Sequence, residues 1–171
     1  MDEWMGIIGT IIGVILGGLI TWFLSEEQRK HDINKEKREL LLSKYEQIDT
    51  LLTEILGCVS SVALQIVAEA GLKSKIDPDA FKNGMPMDKT SMLINFYAPE
   101  LHDGQEQLKK QTTFLYEHLF KHVSNVDKTE KFMAESAITA HELSKNTSIT
   151  VKSMKAMLAS KAGRLLETAY D

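Results

Sequence analysis

From Trp4 to Leu24 the chain carries no charged residue, and its only hydroxyls are Thr10 and Thr21. The next stretch, Ser25 to Glu39, reads SEEQRKHDINKEKRE and is charged on every side. An apolar run of this length meets the roughly 20-residue requirement for crossing a bilayer, and it lacks the polar face that a soluble core helix needs. The charged stretch places Glu26 four residues before Lys30, a pairing that supports a solvated helix. No Gly or Pro separates the two stretches, so the apolar helix is expected to continue into a charged stalk.

The pattern then changes to a heptad. Leu41, Tyr45, Ile48, Leu52, Ile55, Val59, Val62 and Ile66 alternate spacings of four and three, which aligns them along one side of a helix. Leu51, Leu56, Ala63 and Val67 widen this seam beyond a two-stranded coiled coil and predict two or more neighbouring helices. Residues 71–91 hold two prolines and two glycines and read as a long connection at the membrane-distal end. In and after it come Met85, Met87, Met92, Leu93, Ile94, Phe96 and Tyr97, a sulfur-rich cluster that either caps the open end of the bundle or offers an adaptable partner surface.

A further helix is predicted from about Pro99 to Val123, with Leu101, Leu108, Leu115, Leu119 and Val123 facing inward. Asp127 and Glu130 form an N-terminal cap signal for the last helix. Its seam runs through Met133, Ala137, Ala140, Ser144, Thr147, Val151, Met154, Leu158, Leu165 and Ala169, and it is read as continuous through Lys145–Val151 despite the branched residues there, with a break near Asn146–Ser148 as the alternative. The expected fold is all-α: a transmembrane anchor (1–24), a charged helical stalk (25–40) and a cytoplasmic three- or four-helix antiparallel bundle (41–171).

The anchor carries further information. Trp4 and Trp22 lie about 27 Å apart along a helix, matching the two interfaces of a bilayer core. No basic residue precedes the run, whereas Arg29, Lys30, Lys35, Lys37 and Arg38 follow it, which predicts N-terminus outside and C-terminal domain inside, at the plasma or inner membrane. The acidic residues among them hardly weaken this prediction, because the rule counts Lys and Arg. A "MDEW" start without a basic region or a small-residue cleavage site argues against a cleaved signal peptide. Gly6, Gly9, Gly13 and Gly17 fall within an arc of about 80°, a flat face that lets helix backbones approach closely in lipid, in the manner of a glycine zipper.

Composition narrows the function classes. A net charge of −4, with Lys and Arg interleaved among acids, lacks the basic face that nucleic-acid binding requires. Cys58 is the only cysteine, which rules out an intrachain disulfide and a multi-thiolate metal site; it is expected to be a buried, inert thiol. His118 and His122 are four apart but lack a third ligand or an adjacent catalytic Glu, and read as bundle-edge histidines. No phosphate-cradling glycine loop, nucleophile elbow or distinct carboxylate pair is present, so neither an enzyme nor a cofactor is expected. The expected partners are the lipid bilayer, a second copy or another membrane protein, and a cytoplasmic protein. The leading reading is a membrane-anchored scaffold. The alternatives are a membrane-permeabilising effector, for which two threonines offer poor pore hydration, and a small anchoring subunit of a larger membrane complex.

Overall fold

A computed structural model describes residues 2–72, 76, 84–125 and 128–167, with backbone only for residues 2–16, 19 and 20. The chain is all-helical, with no strand among the described residues. Its elements are α1 (Asp2–Leu72), α2 (Met87–Tyr97), a 3-10 turn (Pro99–Leu101), α3 (His102–Ser124) and α4 (Glu130–Glu167). They fall into two compact units, Met1–Leu41 and Leu42–Asp171.

In the first unit the backbone is helical from Asp2, and the charged stretch follows without a break. Thr21 Oγ1 donates to Gly17 O at 2.7 Å, which satisfies the hydroxyl within its own helix. Trp22 and Phe23 are exposed and meet edge to face, 5.1 Å between centroids. Glu26 and Lys30 approach to 3.9 Å. The side chains of Trp4, Thr10, Gly6, Gly9 and Gly13 lie outside the described residues.

Within Thr21–Leu72, α1 is long and apolar enough to cross a membrane by length and composition. Its 18-residue window of mean hydropathy 1.8 holds at most two charges, and therefore begins after Glu46. That segment lies in the second unit, where a packed core helix meets the same criterion.

In the second unit the heptad of α1 becomes the core. Tyr45, Ile48, Leu52, Ile55, Val59, Val62 and Ile66 are buried, as are Leu51 and Ala63 beside them. They share one hydrophobic cluster with Leu93 and Ile94 of α2, Leu108, Leu115 and Leu119 of α3, and Val151, Met154 and Leu158 of α4. Directions follow from the cross-links. Glu69 of α1 meets His122 of α3 near the end of both, so these helices run the same way. Lys155 of α4 reaches Asp49 and Thr53 of α1, and Gln111 and His118 of α3 reach Thr150 and Ser136, so α4 runs opposite to both.

The parallel course of α1 and α3 explains the long connection. Lys44 lies over the Tyr97 ring, 5.9 Å from its centroid, so the end of α2 sits beside the start of the unit's α1 segment. Lys44 and Leu72 are separated by about 42 Å of helix, which the chain must retrace before α3 begins. The chain from Leu72 to Tyr97, α2 included, therefore leads from one end of the unit to the other. The connection also ends sooner than its composition suggests. Gly84 takes a left-handed turn at φ 62°, and α2 begins at Met87, with Thr90 Oγ1 bonding back to Pro86 O at 2.7 Å.

Two other sequence expectations change. Val123 is 54% exposed, and His122 takes the inward position instead. Leu101, Leu108, Leu115 and His122 are seven apart, so the inner register passes through the histidine and carries Val123 round the helix. At the start of α4, Thr129 is the cap: its Oγ1 accepts from Phe132 N at 3.3 Å, while Asp127 lies outside the described residues. α4 is unbroken through Lys145–Val151, where Thr147, Thr150 and Val151 are buried and tertiary packing overrides weak helix propensity. Ala169 also lies outside the described residues.

Candidate functional site

The residues read as a possible partner surface separate into two sets. Met85, Met87 and Tyr97 are half-buried against the core, together with buried Leu93 and Ile94. Met92 and Phe96, one turn apart on α2, are exposed. Arg29 and Lys30 are exposed on the first unit's helix, and Leu41 is half-buried. Cys58 is half-buried rather than buried. It lies near Tyr116, whose hydroxyl is held above its ordinary pKa by burial first and by the Cys58 thiol second.

The closest-knit polar group in the second unit is a corner that spacing along one helix does not reveal. His122 on α3 is completely buried, and its Nε2 lies 2.8 Å from Glu69 Oε2 on α1. Because a carboxylate only accepts, Nε2 carries the proton and donates it. The second oxygen, Glu69 Oε1, accepts from Lys128 Nζ at 2.6 Å, just ahead of α4. The imidazole stacks on Phe132 of α4, 5.8 Å between centroids at 19°. Its Nδ1 is buried with no hydrogen-bond partner among the described residues.

Three segments therefore meet on one carboxylate. Burial opposes the ionisation of Glu69, but the hydrogen bonds from Lys128 and His122, with the Lys128 charge, outweigh it and hold the carboxyl below its usual value. Beside this corner is a cavity of about 590 Å³ lined by Glu69, Ala70, Lys128, Glu130, Met133 and Ala134.

His118, the other member of the histidine pair, donates from Nε2 to Ser136 O at 3.2 Å and so joins α3 to α4. The two histidines thus serve different partners. Among the described residues no three His, Cys, Asp or Glu side chains converge in a way that could hold a metal ion.

Between α3 and α4 the packing is close, and polar side chains are buried among the apolar ones. A Cβ placed on Gly104 would lie 2.7 Å from Met154 Cγ, so this glycine sets how near the helices come. Gln105, Thr112, Ser136, Thr147 and Thr150 are buried in this unit. Gln111 Nε2 donates to Thr150 Oγ1 at 3.2 Å, while Gln105 Oε1, Gln111 Oε1 and Thr147 Oγ1 have no partner among the described residues. At the other end of the unit Lys161 pairs with Glu100 at 3.3 Å. Tyr45 lies close to this pair and its pKa is raised, by burial first and then by the Glu100 charge, against the lowering effect of Lys161.

No protein-family model matches the chain, and comparison with curated proteins and with solved structures finds no match.

Proposed function

We propose that the protein is a single-pass, membrane-anchored helical scaffold: a glycine-faced transmembrane helix self-associates, and a cytoplasmic helical bundle recruits or senses a protein partner. The observation that carries this reading is the charge-free run Trp4–Leu24, with Gly6, Gly9, Gly13 and Gly17 in one arc. Lipid removes the hydrophobic drive between helices, so small residues that allow close backbone contact take over as the source of association. Trp4 and Trp22 mark the two interfaces, and the basic residues beginning at Arg29 and Lys30 keep the C-terminal domain on the cytoplasmic side of the plasma or inner membrane.

The bundle contributes a surface for the partner. Met92 and Phe96 stand exposed on α2, and Met side chains adapt to partners of varied shape. Crosslinking of the full chain in native membranes should give a ladder of oligomers, and Gly13→Leu should reduce it to monomer. A wild-type chain that remains monomeric, or crosslinks only to a different protein, contradicts self-association; the second result assigns the glycine face to a larger membrane complex.

A further inference from the structure

From the corner at Glu69 we infer that the second unit contains an acid-sensitive latch: protonation of His122 at Nδ1 opens the junction where α1, α3 and the start of α4 meet. The latch belongs to this unit alone and stands whether or not the anchors associate.

The geometry supplies the reason. In the closed state Glu69 accepts Nε2–H of His122 at 2.8 Å and Nζ–H of Lys128 at 2.6 Å, so one carboxylate already balances one full positive charge. A proton on His122 Nδ1 creates a second cation beside the same carboxylate. It also creates an N–H donor in a fully buried position with no acceptor among the described residues. A buried unsatisfied donor is costly, and a charged one more so. The charged groups at the corner are Glu69 on α1, which meets the ring, and Lys128 ahead of α4, which meets Glu69; the uncharged Phe132 on α4 stacks on the ring, and the exposed Glu130 lines the adjoining cavity. None of these provides a second acceptor at Nδ1.

Opening relieves the strain by letting water reach Nδ1, and the cavity beside Glu69 and Lys128 gives water a route. The consequence is local. Glu69, His122 and Lys128 help tie the α3–α4 connection to the end of α1, so releasing them loosens that end of the hairpin around Phe132. The heptad core from Tyr45 to Val59 lies further along α1 and stays closed.

The test is hydrogen exchange on the full chain in lipid nanodiscs at about pH 7.5 and about pH 5.5. After correction for intrinsic exchange, peptides covering residues 118–136 should lose about tenfold in protection on acidification, while peptides covering 45–59 stay unchanged. His122→Gln, which keeps a neutral donor for Glu69, should remove the pH dependence. Lys128→Met, at a partly exposed position, should shrink it, because Glu69 is then free to balance the imidazolium.

Equal protection at both pH values overturns the latch. So does greater protection in acid, which would show the imidazolium–carboxylate pair tightening the corner. Retention of the full pH effect in Lys128→Met overturns it even if His122→Gln fails to fold.

Discussion

The α1 seam and the α3–α4 seam belong to the same unit but are built from different chemistry. Along α1 the buried positions from Ile48 to Ile66 are aliphatic, and five of them, Ile48, Leu52, Ile55, Val59 and Ile66, have no exposure at all. On α3 and α4 the buried residues include Gln105, Thr112, Ser136, Thr147 and Thr150 among the leucines, with Gly104 against Met154. Apolar burial rewards the first seam in proportion to area, at about 25 cal/mol per Å². The second is rewarded in the same way at Leu108, Leu115, Val151, Met154 and Leu158, but it also depends on close approach and on hydrogen bonds, some of which are not made. The α1 seam is thus apolar from Ile48 to Ile66, and the α3–α4 hairpin is the part whose arrangement a small change in charge or fit can alter.

Substitutions can break this contrast or sharpen it. Ile55→Ala should have the largest effect, a loss of about 2–5 kcal/mol, because a fully buried branched side chain leaves a cavity among the other core residues. Chemical denaturation of the full chain in mild detergent would measure it. Gly104→Ala should cost about 1–3 kcal/mol in the same assay, since its methyl group collides with Met154 near the backbone of a buried chain. Thr147→Val should go the other way, leaving stability unchanged or raising it by about 1 kcal/mol, because Thr147 Oγ1 has no partner among the described residues and valine has the same shape. A clear loss in Thr147→Val would show that the hydroxyl is satisfied and that the contrast between the seams is smaller than drawn.

The smallest expected effect is a shift with pH. The Glu69 carboxyl lies below its ordinary value of 4.5 in the folded chain, so its contribution is complete above about that pH and disappears as pH falls through the lower folded value. Glu69→Gln should therefore flatten the acid limb of the stability profile while leaving its slope above pH 5 to other groups. An acid limb identical to wild type would mean that Glu69 is not strongly paired.

Much of the fold was legible in the sequence because long helices repeat their pattern. The heptad of α1 predicted the buried positions from Tyr45 to Ile66, and the seam of α4 held through its branched middle. α2 was missed because it has only 11 residues and follows Pro86 and Gly84, whose turn chemistry dominates the local signal. His122 was misplaced because Val123 is the more apolar neighbour, although the sevenfold spacing from Leu101 points to the histidine.

The corner itself was not legible. Glu69 is 53 residues from His122 and 59 from Lys128 in sequence, and it looks like any acid at a helix end until the three elements are folded together. Of the proposed membrane face, Gly17 alone lies among residues with described side chains, and nothing approaches within 4 Å of a Cβ placed there. Gly6, Gly9 and Gly13 rest on the sequence pattern.

Self-association in the membrane is tested most directly by energy transfer between donor- and acceptor-labelled full chains reconstituted together in vesicles, followed as lipid is added. Transfer that persists on dilution for the wild type and falls to the random-proximity baseline for Gly13→Leu is the predicted result; wild-type transfer that sinks to that baseline, or a Gly13→Leu curve that overlays it, contradicts a glycine-faced oligomer.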